Sequence, residues 1–432
     1  MTRRHDIDTL RVLAFALLIL YHLAMAYVDG WGFHLKSTHT TPDLQWPMRL
    51  VNGWRMSLLF LISGVAIALL GPRLSAGRFA RLRTWRLLLP LAFGMFVVVP
   101  IQPYCEAVSS GHASPGFGAF LLRYWQVRPW PEGSFAGARF GITWNHLWYL
   151  AYLWCYSMVL VLLKPLLDSA PVRRATGRMA RAHGLLLLLG PAAVLLLWLV
   201  WLAPAHPATN TLVNDTYQHA KYFTVFLIGY TLGREPVFWQ RAVALRWSSL
   251  LAVGVAVCWY FLLEALGQWL PADSVLRTWP AGFWSLQSRF CEMLYVWGVM
   301  LTLLGWAKRH LDRPFAWLPY CTEAVYPWYI LHQSVLIAAL FWLKPLHLGP
   351  VVEPLLVLVA TVAGCLLLHE CLIRRVRWLR PLFGLKANKT GARTGRTASP
   401  AVESTVDYNQ WHRDARAWMA QDDVGMKRKE IE

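Results

Sequence analysis

Ten apolar runs divide this chain, near residues 10–29, 50–71, 86–104, 145–164, 184–204, 219–233, 247–267, 288–307, 317–342 and 351–373. A bilayer core about 30 Å thick is crossed by about twenty residues of helix. Inside it every backbone N–H and C=O needs a partner, so spans of this length fold as helices. The pattern predicts an all-α, polytopic membrane bundle of about ten transmembrane helices. The sixth run is short for a span.

Charge supplies the orientation. Of 432 residues only 15% are charged, yet the net charge is +19. A soluble chain with that excess would suggest nucleic acid, but no nucleic-acid motif is present. Here the cations cluster in alternate short connections: Arg3 and Arg4; Arg73 to Arg86; Lys164 to Arg181; Arg234, Arg241 and Arg246; Lys308, Arg309 and Arg313; and RRVRWLR after the last run. The positive-inside rule makes that side cytoplasmic, with both termini inside. The opposite loops hold fewer cations, such as Lys36, Arg123, Arg128, Arg139, Arg277 and Lys344. They are rich in aromatics, which suits an interfacial belt or a stacking surface for sugar rings.

The first run keeps Asp8 and Arg11 at its start and reads as a retained helix rather than a cleaved signal. Residues 1–386 form the membrane domain. Residues 387–432 turn polar, lose apolar periodicity and read as a disordered cytoplasmic tail, with a short helix near 407–421 as an option. The seven cysteines show no metal-ligand spacing, so no metal site is expected.

Several polar residues interrupt the spans, where ionisable groups are costly and commonly functional. Arg11 and His22 stand eleven apart. Eleven steps of 100° put both on one helix face, about 16 Å apart along the axis. Arg81, Arg83 and Arg86 precede the third span. They are either ordinary anchors or guanidinium forks for the phosphates of a cytoplasmic donor. Ser63-Gly64 in FLISG permits close approach of a helix or an extended ligand. WNHLWYL sets His146 beside Trp148 at the distal side, as an interfacial histidine or a ligand contact. In the ninth run Glu323, Tyr326, Tyr329 and His332 recur every third residue beside Pro327. That polar stripe lines a pore or a site. No serine elbow, phosphate loop or HExxH is present. Histidine, arginine, tyrosine and one glutamate remain, a set suited to taking a proton from an alcohol while anchoring an anionic donor.

Taken together, Arg11-x10-His22, FLISG, Arg83-x-x-Arg86 before Pro90, HLWYL from His146 and EAVYPWYILHQ from Glu323 resemble the acyltransferase 3 family of bacterial membrane O-acyltransferases. The similarity runs from about residue 6 to 386. Within the family, the DTLRVLAFALLILYH start and the LHECLIRRVRWLRPLFGLK ending look most like the glucan biosynthesis protein C branch, associated with succinylation of periplasmic glucans. The resemblance implies a multi-pass protein of the bacterial plasma (inner) membrane. It would move an acetyl or succinyl group from cytoplasmic acyl-CoA, a co-substrate rather than a tightly bound cofactor, to a hydroxyl of an extracytoplasmic carbohydrate.

On that reading His22, Arg11 and Glu323 are the catalytic candidates. Arg81, Arg83 and Arg86 hold CoA, and Ser63, His146, Trp148, Tyr326, Tyr329 and His332 contact substrate. His22 lies about halfway across the bilayer, where donor and acceptor meet. Direct transfer and an acyl-histidine route both stay open. The alternative is a transporter or flippase for a glycan or lipid-linked sugar, which would share the spans and the Pro-broken helix but consume no acyl-CoA.

Overall fold

The computed structural model describes residues 3–69, 75–269, 274 and 280–386. The proposed tail, its optional helix, Arg73 and Arg277 lie outside the described residues. The described residues are largely helical: α1 His5–Tyr27, α2 Gln45–Leu69, α3 Ala76–Phe93, α4 Ile101–Ser109, α5 Phe117–Tyr124, α6 Trp148–Leu167, α7 Ala170–Arg181, α8 Gly184–Trp201, α9 Thr216–Leu232, α10 Pro236–Trp269, α11 Ala281–His310, α12 Leu318–Leu343, α13 Gly349–Leu367 and α14 Leu379–Leu382. Among the described residues the only strand-like pairing is an isolated bridge between Val28 and Thr41.

Among the described residues, nine helical segments are long and apolar enough to cross a membrane. They match nine of the ten apolar runs. The remaining run forms α9, whose 17 residues extend about 25 Å. Its ends show that it crosses the bundle as well. Asp215, just before it, accepts a hydrogen bond from the Tyr152 hydroxyl near the distal end of α6. Arg234, just after it, pairs with Asp168 at the other end of α6. Ten crossings return the chain to its starting side, and the arginines gather there. Arg4 lies 3.7 Å over the Trp239 ring, and it shares a cavity wall with Arg234, Lys308 and Arg309.

Small residues let the helices approach. A Cβ on Gly64 would lie 2.1 Å from the Phe226 carbonyl oxygen, and one on Gly229 2.1 Å from that of Leu61. The FLISG glycine is therefore the contact between α2 and α9, the close-packing option of the two the sequence offered. Gly305 meets the Ala242 carbonyl in the same way, where α10 and α11 pack.

Two prolines inside helices, Pro90 and Pro191, are repaired from neighbouring helices. Pro90 in α3 lacks the N–H that would bond the Arg86 carbonyl. The Tyr326 hydroxyl of α12 donates to that oxygen instead, at 2.8 Å. Pro191 in α8 likewise frees the Leu187 carbonyl, and the buried Trp297 indole of α11 supplies the donor at 2.9 Å. Each repair satisfies a backbone group that lipid cannot and fixes the register of two helices. After Pro90 the chain passes through one π-helical turn, Gly94–Val98, before α4. That turn re-aims α4 so that Gln102 points into the bundle.

Candidate active site

Four elements meet around the His22 ring. α1 brings His22, α12 brings His332, the short turn before α6 brings His146, and α4 brings Gln102. His22 Nδ1 lies 2.8 Å from His332 Nε2, and the two rings stack at 5.0 Å with planes 12° apart. His146 stands edge-on to both, 6.5 Å from His22 and 5.1 Å from His332.

The partners fix the tautomers. His332 Nδ1 faces the carbonyl oxygens of Trp328 and Tyr329 at 3.1 and 2.9 Å. Carbonyls only accept, so Nδ1 carries the proton and, in the neutral ring, Nε2 accepts. His22 Nδ1–H is then the donor, and His22 Nε2 keeps its lone pair. His146 Nε2 faces the Tyr329 and Ile330 carbonyls at 3.1 and 3.2 Å, so it is the donor there. Its Nδ1 accepts from Gln102 Nε2 at 3.3 Å. Both His146 nitrogens are engaged, which makes it a wall and a brace rather than a base.

Gln102 is fully buried and uses its whole amide. It donates to Ser334 Oγ at 2.7 Å as well as to His146. Its carbonyl accepts from Asn145 Nδ2 at 2.9 Å and Gln333 Nε2 at 3.0 Å. Asn145 adopts φ 43°, a left-handed conformation that asparagine tolerates better than most residues. Its Oδ1 accepts from Thr143 at 2.6 Å. The Tyr329 hydroxyl donates to the His146 carbonyl at 2.5 Å, locking α12 to the start of α6.

His22 lies on the wall of a cavity of about 1270 Å³. His146, Trp148, Arg55 and Gln333 share that wall, and so do the distal loop residues Trp144, Phe140, Thr209, Asn210 and Asn214. The cavity therefore faces the distal end. His22 is five residues from the end of α1 and seventeen from its start. It sits nearer the distal surface than the halfway depth expected from its run.

The other sequence candidates form a second group toward the basic end. Arg83 Nε donates to Ser157 Oγ at 3.1 Å, and Arg83 is within electrostatic reach of Tyr149, Tyr326, Arg86 and Arg11. Arg11 lies 3.6 Å from Asp8. Ser63 bonds the Tyr149 hydroxyl at 2.7 Å. Arg81 is exposed on α3, whereas Arg83 and Arg86 are half-buried. Tyr149 and Tyr329 meet at 6.0 Å, and Tyr329 meets His146 at 5.7 Å. This aromatic file links the arginine group to the histidines.

Glu323 joins neither group. It pairs with Arg374 at 3.2 Å near the start of α12. Nine residues separate it from His332, about 13 Å of helix. The sequence reading also passed over Gln102, Asn145 and Arg55. Arg55 had a usable signal, since it is a lone cation within the second apolar run. Among the described residues no cluster of His, Cys, Asp and Glu suited to a metal ion is found.

Comparison with known families matches residues 4–370 to the acyltransferase domain family designated Acyl_transf_3. No curated protein and no solved structure shows significant similarity to the chain. The match covers most of the chain and all the helices that build the two groups, so this multi-pass membrane protein belongs to the acyltransferase 3 family and is an acyltransferase acting on groups other than aminoacyl groups.

Proposed function

We propose that the protein moves an acyl group from cytoplasmic acyl-CoA to a hydroxyl of an extracytoplasmic carbohydrate, in a bacterial plasma membrane. The observation that carries the reading is the 2.8 Å contact of His22 Nδ1 with His332 Nε2 on the wall of a distal cavity, which leaves Nε2 of His22 as the nitrogen to act as base. The cavity combines flat aromatic faces, Trp144, Trp148 and Phe140, with amide and hydroxyl groups, as a sugar ring requires. A periplasmic glucan is the acceptor that the family branch suggests, and acetyl or succinyl the acyl group.

The donor enters from the basic end. Arg83 and Arg86, with Arg11 nearby, offer cations to the CoA phosphates, and Arg81 extends that surface outward. The pantetheine arm follows the Tyr326, Tyr149 and Tyr329 file. It carries the thioester to His22, about 25 Å along α1 from His5.

His22 Nε2 takes the proton from the acceptor hydroxyl as its oxygen attacks the thioester carbonyl. His332 accepts from His22 Nδ1–H throughout and steadies the imidazolium that forms. The C–S bond breaks, the ester forms, and the imidazolium returns its proton to the departing thiolate. His332 and His146 act by positioning. Glu323, paired with Arg374, belongs to the basic-end architecture in this mechanism.

The test is mass spectrometry of envelope and periplasmic glycans from a strain lacking the gene, complemented with wild type or His22→Ala at equal protein levels. Loss of a defined acyl mass, restored by wild type only, supports the reading. Restoration by His22→Ala rejects it. An unaltered acyl profile with a glycan or lipid building up at the cytoplasmic face points to a carrier.

A further inference from the structure

Arg55 lies inside α2, ten residues from its start, and lines the same cavity as His22. A guanidinium at that depth is costly unless something answers its charge. Its Cζ sits 3.5 Å over the Tyr21 ring. Nη2 donates to Asn52 Oδ1 at 3.1 Å, an atom that also accepts from the Tyr21 hydroxyl at 3.1 Å. These contacts fix the plane of the guanidinium and leave its charge uncompensated. Its Nε is buried and makes no hydrogen bond. Among the described residues its electrostatic neighbours are the hydroxyls of Tyr21 and Tyr222 and the His22 ring, with no carboxylate. The cavity's own carboxylate, Glu106, is committed to His34 at 2.6 Å and to the Ala136 N–H at 3.1 Å.

A rigid, uncompensated guanidinium on the wall that also carries the base is suited to a carboxylate. We infer that Arg55 selects an anionic substrate at this cavity, pairing with a carboxylate carried by the acyl chain or by the acceptor sugar. The inference rests on reading the His22 cavity as the acyl-transfer site. A neutral analogue would leave the Arg55 charge unanswered, and that asymmetry is the source of discrimination.

Equilibrium binding to the purified full-length protein, read by tryptophan fluorescence, separates the two sources. Monomethyl succinate is compared with neutral dimethyl succinate, and glucuronate with glucose. Wild type should prefer at least one anion to its neutral counterpart by tenfold or more. The succinate pair identifies an acyl carboxylate and the glucuronate pair an acidic acceptor. Arg55→Gln should abolish the preference and Arg55→Lys should keep part of it, which guards against a folding defect. No preference in wild type, or one unchanged in Arg55→Gln, overturns the inference. His22→Ala should keep the preference while losing acyl transfer. Transfer retained by that variant would remove the acyl-transfer reading without altering the binding result.

Discussion

The Nδ1 atom of His22 lies 2.8 Å from Nε2 of His332, across 310 residues of sequence, and this contact decides which nitrogen of His22 is free to act as a base. The free nitrogen is Nε2, on a ring that lines the distal cavity. His332 is itself fixed by two backbone carbonyls of its own helix, so the proton arrangement is built from the backbone outward.

Replacing His332 should lower turnover more than substrate binding. His332→Leu removes the acceptor for His22 Nδ1–H, and kcat should fall about 10²–10⁴-fold, the range for a general base that has lost its proper state. His332→Gln restores an acceptor oxygen and should retain more activity than His332→Leu. Steady-state transfer in membranes, with KM and kcat separated, checks this. Equal loss in both variants would place the role of His332 in packing alone.

Gln102 is the hub of the buried network. Gln102→Leu strands the buried Ser334, Gln333 and His146 groups and the half-buried Asn145. Each buried unsatisfied group costs about 1–3 kcal/mol. The variant should melt well below wild type in detergent and lose most transfer activity. A melting temperature within a degree of wild type would count against the network as a structural element.

Arg83 tests the donor route. Arg83→Ala should raise the apparent KM for acyl-CoA by about tenfold or more, equivalent to ~1.4 kcal/mol, with a smaller effect on kcat. Arg83→Lys should recover only part, because an ammonium lacks the planar fork. An unchanged KM would move the donor site elsewhere.

The interface between α2 and α9 leaves no room for side chains. Gly64→Val places methyl groups where a Cβ alone already lies 2.1 Å from the Phe226 carbonyl oxygen. Backbone has to shift, at a cost of about 3 kcal/mol or more. The expected result is low yield and a reduced melting temperature. Gly77→Ala is the control, since nothing lies within 4 Å of its added Cβ.

Asp168 gives the basic end a pH dependence. Burial raises its carboxyl pKa, but hydrogen bonds and charge from Lys164 and Arg234 outweigh it and hold the group below the usual carboxylate value. A depressed folded-state pKa stabilises the fold above the unfolded pKa of about 3.9, and the gain is lost as pH falls through the lower folded value. The pair is partly exposed, so its contribution is about 1 kcal/mol. Asp168→Asn should lower the melting temperature at pH 7, and the gap from wild type should close as pH falls below the unfolded value of about 3.9 and through the lower folded one.

The polar residues that stand out in the sequence fall unequally into the two groups of the candidate site. Arg11, Arg83 and Arg86 stand together at the basic end, and His22, His146 and Trp148 line the distal cavity, with His332 buried against the His22 ring. Their signal is local, since each is a polar residue within or beside an apolar run. Glu323 gave the same signal but pairs with Arg374, because a stripe repeating every third residue drifts around a helix and climbs along it. Gln102 and Asn145 carried no such signal, since an uncharged amide beside a proline or a tryptophan looks like a helix end.

The sequence by itself determined the number of apolar segments, their helical form and the basic side of the bundle. Hydrophobic length and loop charge act locally and add along the chain, so they survive without knowledge of the packing. Only the tertiary structure decided that α9 is a crossing held by Gly64 and Gly229, that Tyr326 and Trp297 repair the breaks at Pro90 and Pro191, and that His22 donates to His332. Those outcomes depend on which helix faces meet and at what height. Residues hundreds of positions apart set them jointly, through contacts that no single span contains.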